Sequence, residues 1–174
     1  MRPWRNQYGA ISDYFKIYGG IKSLCTSPYP QASIIIGVFL VLFANEKFDA
    51  SSLTISIIPN LLGFTVGALA ITIASSSSEI FILLTEGGDD NSLFMKTMSN
   101  FVHFILIQVV VVLLAVLNNA ISFRIFIYLN AIMLVYAILT ALSTAIQLFQ
   151  MAKLFNLSKK KKNVTEGNEP LDPV

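Results

Sequence analysis

The side chains able to do chemistry are few and far apart. His103 is the only histidine and Cys25 the only cysteine. A lone imidazole can sense pH. With no neighbouring His or Cys it cannot complete a usual transition-metal site, so no metal is expected. A hydrogen-bonded histidine near the membrane surface is the plainer reading. Cys25 has no second cysteine to pair with inside the chain, which excludes an intramolecular disulfide. Ser75 to Ser78 run into Glu79, yet no GxSxG elbow is present to make one of them a nucleophile. The acidic turn "EGGDDN", residues 86–91, lacks the ligand spacing of a calcium loop. No glycine-rich phosphate loop follows a strand, and no nucleophile–base set is evident. The sequence therefore reads as nonenzymatic, with no catalytic residue and no cofactor.

A second set of residues matters through packing. Gly63 and Gly67 stand four apart, on one helical face, where their missing side chains let another backbone approach. Ala70 and Ala74 extend that side. The partner is either another helix of the same chain, which the motif alone favours slightly, or a second copy. Ala137, Ala141 and Ala145 form another row of small residues. Beside it run Asn130, Thr140, Thr144 and Gln147, a polar stripe facing one way. Polar groups at membrane depth face a bundle interior or a water-filled cavity. Interhelical hydrogen bonding is the simpler role, and a pore lining the sharper one. Gln108 needs a partner on another helix.

These residues require apolar helices to carry them. The chain has 174 residues, 55% hydrophobic and only 13% charged, about half the charge of soluble domains. No charged residue occurs between Ala50 and Ser78, between Thr97 and Phe123, or between Ile125 and Ala152. Each stretch exceeds the roughly 20 residues needed to cross the hydrocarbon core as a helix. A fourth segment, Ser33 to Ala44, is short, but extended from Pro30 to Phe48 it reaches crossing length. Pro59 either starts the second span or kinks it from within. "DDNS", residues 89–92, offers a cap for the third. "VVVVLL" in the third span favours strand in water, but in lipid an open strand leaves its backbone unpaired, so helix prevails.

Arg2, Arg5, Lys16 and Lys22 precede the first span, and Lys153 and Lys159, Lys160, Lys161 and Lys162 follow the last. The positive-inside rule places both clusters in the cytoplasm, which requires an even number of crossings. The expected fold is an all-α integral membrane protein with four transmembrane helices over residues 30–155. Residues 1–29 form a cytoplasmic segment with an interfacial amphipathic helix: Tyr8, Ile11, Phe15, Tyr18 and Ile21 share a helical face, with Arg5, Lys16 and Lys22 placed to meet anionic lipid. Gly19 and Gly20 bend or end it. The first 30 residues lack a continuous apolar region, so no secretory signal peptide is expected. Residues 156–174, first basic and then acidic, are expected to be disordered, their lysines attracting anionic lipid.

The stretches "DYFKIYGGIKSLCTSPY", residues 13–29, and "PNLLGF", residues 59–64, resemble small bacterial inner-membrane effectors encoded beside antiviral modules such as retrons. The resemblance covers the first half of the chain. It implies a protein of the bacterial inner membrane held silent by a cytosolic protein or ribonucleoprotein and released during infection to damage the membrane. The expected partners are then the bilayer, further copies of the chain and that regulator, without direct nucleic-acid binding. An accessory or scaffold subunit is the main alternative. A small transporter is weaker, since no charge lies inside a span.

Overall fold

The structure is a computed structural model that describes residues 3–43, 48–74, 84–85, 88–121 and 123–166. Six helices account for nearly all of them: α1 (Pro3–Tyr18), α2 (Gly20–Thr26), α3 (Pro28–Phe43), α4 (Ala50–Ala74), α5 (Leu93–Ile121) and α6 (Arg124–Glu166). No strand occurs among the described residues. The valine-rich run of the third span is thus helical. Ser75 to Ser78 and the stretch to residue 83 lie outside the described residues.

α4, the span of α5 and residues Arg124–Leu154 of α6 are long and apolar enough to cross a membrane. A fourth crossing exists only if α2 and α3, bent by 54° between Thr26 and Pro28, act as one broken span. α3 alone has 16 residues, about 24 Å of helix against a hydrocarbon core of about 30 Å. Its first residue is Pro28 rather than Pro30, preceded by the extended Ser27.

Local chemistry sets the ends. The Asp49 carboxylate accepts the backbone N–H of Ser51 at 2.9 Å and of Ser52 at 3.2 Å, capping α4 from outside. Pro59 therefore lies inside α4 and does not start it, because Asp49 has already supplied the cap a turn and more earlier. The missing proline N–H frees the carbonyl of Ile55; one residue on, the Asn60 amide donates to the carbonyl of Ser56 at 3.1 Å. Ser92 caps α5 through a bond from the Met95 N–H to its hydroxyl. Gly88, at φ 96°, takes the left-handed conformation that glycine alone adopts without strain. At the far end, the backbone of α6 stays helical through Glu166, so residues 156–166 continue the helix rather than begin a disordered tail. Lysine and leucine are good helix formers, and no proline interrupts them before position 170.

α4, α5 and α6 pack against one another, α3 packs on α6, and α1 packs on α5. The apolar centre is Ile58, Val111, Leu134 and Ala137, with Leu61, Ile107, Val112 and Met133 around it. Large apolar side chains such as Ile35, Phe43, Leu113 and Phe149 are exposed on the outside, as expected of helices built to face lipid. α3 and α6 approach each other closely at Gly37. A Cβ added there would lie 2.6 Å from the Cα of Ile132, so α3 meets α6 backbone to backbone. Ser33, one turn earlier, is buried on the same face.

Candidate functional site: polar contacts inside an apolar bundle

Three polar sets lie between the helices. The first joins the start of α4, the end of α5 and the start of α6. Ser51 Oγ accepts from Asn118 Nδ2 at 2.6 Å and from Asn130 Nδ2 at 3.0 Å. Thr54 Oγ1 donates to Asn130 Oδ1 at 3.2 Å. Asn130, Ser51 and Thr54 are fully buried, so these bonds replace water that cannot reach them. The arrangement follows from helical spacing: Ser51, Thr54, Ile58, Thr65, Ala68 and Thr72 form the buried face of α4.

The second set is deeper. Gln108 Nε2 donates to Thr65 Oγ1 at 3.1 Å, and Thr65 in turn donates to the Leu61 carbonyl at 2.9 Å. Gln108 thus finds the partner on another helix that its position demanded. Its Oε1 is buried and has no partner among the described residues, as are Asn118 Oδ1 and Gln147 Oε1.

The third set surrounds His103, which is 3% exposed. Tyr14 Oη of α1 lies 2.8 Å from Nδ1, and Tyr136 Oη of α6 lies 2.9 Å from Nε2. A neutral imidazole has one N–H and one free lone pair, so one phenol donates to the ring while the other accepts from it. The Tyr18 ring stacks on the imidazole at 4.2 Å and 22°. Ser99 Oγ of α5 donates to the Tyr14 carbonyl at 3.1 Å. Burial pushes the Tyr14 phenol up, and the neighbouring Tyr18 phenol adds to it. Burial also raises Tyr18, against the opposing effect of a hydrogen bond with Tyr136. Tyr14 and Tyr18 therefore stay protonated at neutral pH and keep a hydrogen to share.

The polar stripe of α6 points inward. Asn130, Thr140 and Thr144 are buried, and Gln147 is half-buried. Asn130 makes the interhelical bonds described above, whereas Thr140 donates to the Ala137 carbonyl at 2.8 Å and Thr144 to the Thr140 carbonyl at 3.0 Å. These three residues of the stripe thus hold helices together or bond back to their own helix. Ala137 and Ala141 are buried beside it, while Ala145 is exposed. Gly63 and Gly67 are placed the other way. A Cβ added at either meets nothing within 4 Å, so the expectation of packing inside the chain is not met there. The buried face of α4 is its hydroxyl-bearing side, which turns the glycines outward. Lys16 and Lys22 are exposed. Arg5 belongs to α1, and Lys159 to Lys162 to the helical extension of α6.

Sequence reading missed Gly37 and the tyrosines around His103. Ser33 and Gly37 carry the small-xxx-small spacing that marks close helix packing, a signal present in "SIIIG" itself. Nothing in the spacing joins Tyr14 to His103, 89 positions away. Among the described residues, no group of three or more His, Cys, Asp or Glu side chains comes together. No family model matches the chain, and neither a curated protein nor a solved structure matches it.

Proposed function

We propose that this chain is a nonenzymatic, multi-pass protein of the bacterial inner membrane that acts by assembling with further copies and perturbing or permeabilising the bilayer, as an effector in antiviral defence. The observation that carries this reading is the open space at Gly63 and Gly67. In lipid, helix association gains from van der Waals contact between closely approaching backbones, and no described residue packs on this surface of α4 at the two glycines. Asn130, Thr140 and Thr144 of the polar stripe are occupied with bonds inside one copy, and the apolar centre at Ile58, Val111, Leu134 and Ala137 lies between the first polar set and Gln108. A water path therefore has to form between copies or through rearrangement. Both termini face the cytoplasm in this proposal, where a regulatory protein or ribonucleoprotein holds the chain silent.

A scaffold role draws support from one feature, the helical continuation of α6 beyond Leu154, which suits a cytosolic partner. Expression in bacterial cells without a regulator, read with a voltage-sensitive dye, separates the two. The effector reading expects depolarisation by the wild-type chain and none by Gly63→Ile or Gly67→Ile at equal membrane content. Depolarisation by the inserted variants would rule out assembly through this face. An unchanged potential with the wild type would favour the scaffold.

A further inference from the structure

We propose that α1 is a releasable arm that pivots at Gly19–Gly20 between its docked position on α5, where Tyr14 and Tyr18 clamp His103, and the headgroup layer of the bilayer. The inference needs the bundle to sit in a membrane but does not need assembly through α4. Four observations carry it.

The docking is local. Among the described helices α1 packs mainly on α5, meets its neighbour α2 and reaches α6 through Tyr18 and Tyr136. A groove of about 400 Å³ lined by Asp13, Lys16, Ile17, Asp90, Asn91 and Met95 separates it from the turn before α5. The contacts that hold it are directional. The Tyr14–His103 bond, the bond from Ser99 to the Tyr14 carbonyl and the Tyr18–His103 stack all depend on one orientation of the helix and are lost together when it turns.

The pivot is built for rotation. Gly19 and Gly20 are consecutive left-handed residues, at φ 96° and 66°. A side chain at Gly19 would press on Ser23, whose Cβ would be 3.0 Å away. Two glycines in series impose little cost on changing the direction of the chain.

The released arm also has a partner. Only part of its apolar arc is docked. Tyr8, Ile11 and Phe15 are 73%, 58% and 37% exposed, and Lys16 lies exposed beside them. An apolar arc edged by a basic group is the form that lies in the headgroup region of an anionic bilayer. Tyr14 and Tyr18 belong to the same arc, so the residues that clamp His103 are also the ones that would enter the interface. The two positions compete for one surface. Release uncovers His103 and Ser99 at the side of α5.

Paired spin labels on the full chain in nanodiscs test this. With Cys25→Ser as background, labels at Gly9→Cys, where an added Cβ meets nothing within 4 Å, and at the exposed Lys96→Cys report the distance from α1 to α5. Labels at Ser52→Cys and Ile121→Cys, both exposed, monitor the bundle. The wild-type chain should show mainly the docked distance. Tyr14→Phe combined with Tyr18→Leu should add a population longer by on the order of 15 Å, the length of arm between Gly9 and the pivot, with the bundle pair unmoved. That population should grow up to about fivefold when phosphatidylglycerol replaces phosphatidylcholine, the effect of one lysine near an anionic surface. An unmoved α1 distance in the double variant overturns the clamp. A released population indifferent to phosphatidylglycerol overturns the headgroup layer as its destination. If the bundle pair moves as well, Tyr14→Phe alone, which removes a single oxygen, is read by the same two outcomes.

Discussion

Gly37 and Gly63 have opposite surroundings, and substitution separates them. Gly37 has no room for a side chain against the Ile132 backbone. Gly37→Leu is expected to destabilise the chain by about 1–3 kcal/mol, the usual cost of overpacking, read as a shift of the unfolding midpoint in mixed micelles. Gly63→Leu should be neutral or slightly stabilising at detergent excess that keeps the chain as single copies, since leucine is the better helix former and meets nothing within one copy. Asn130 gives a second prediction. Its amide holds Ser51 and its carbonyl oxygen accepts from Thr54, so a double-mutant cycle between Ser51→Ala and Asn130→Ala should give a coupling of about 0.6 kcal/mol and no more than about 1.7. A coupling indistinguishable from zero would mean that the pair does not bond in the membrane. At this scale the sequence was partly legible. The need of Gln108 for a partner and the inward stripe at Asn130, Thr140 and Thr144 follow from helical spacing and the cost of a polar group in lipid. The partners themselves, Thr65, Ser51 and Asn118, do not, because helical periodicity fixes a face but not which helix it meets.

Element by element, the helices were readable from charge-free runs, while their ends depended on single side chains. Asp49 moved the start of α4 well before Pro59, and a proline inside a helix looks the same in sequence as one that begins it. α1 shows a different limit. Its apolar arc was visible as a pattern, but an arc wide enough to serve both lipid and protein does not announce how it is divided. Orientation can be checked at α2, where Cys25 is exposed and is the only cysteine. With the termini in the cytoplasm, a membrane-impermeant maleimide should label Cys25 in inverted vesicles and leave it unlabelled in intact cells with a permeabilised outer membrane. The reverse pattern would place α2 on the outer face and contradict a cytoplasmic N-terminus.

For the molecule as a whole, the inner polar contacts hold one copy together, and in the proposed assembly the open face of α4 at Gly63 and Gly67 receives the others. Close packing at small residues is one of the sources of helix affinity in lipid, and the two glycines supply it on this face. The particle mass of the purified chain in lipid nanodiscs, corrected for lipid, tests this most directly. Assembly through Gly63 and Gly67 predicts a discrete homo-oligomer for the wild type and a single copy for Gly63→Ile and Gly67→Ile. A wild-type particle holding one copy, or variants that assemble as the wild type does, would contradict it.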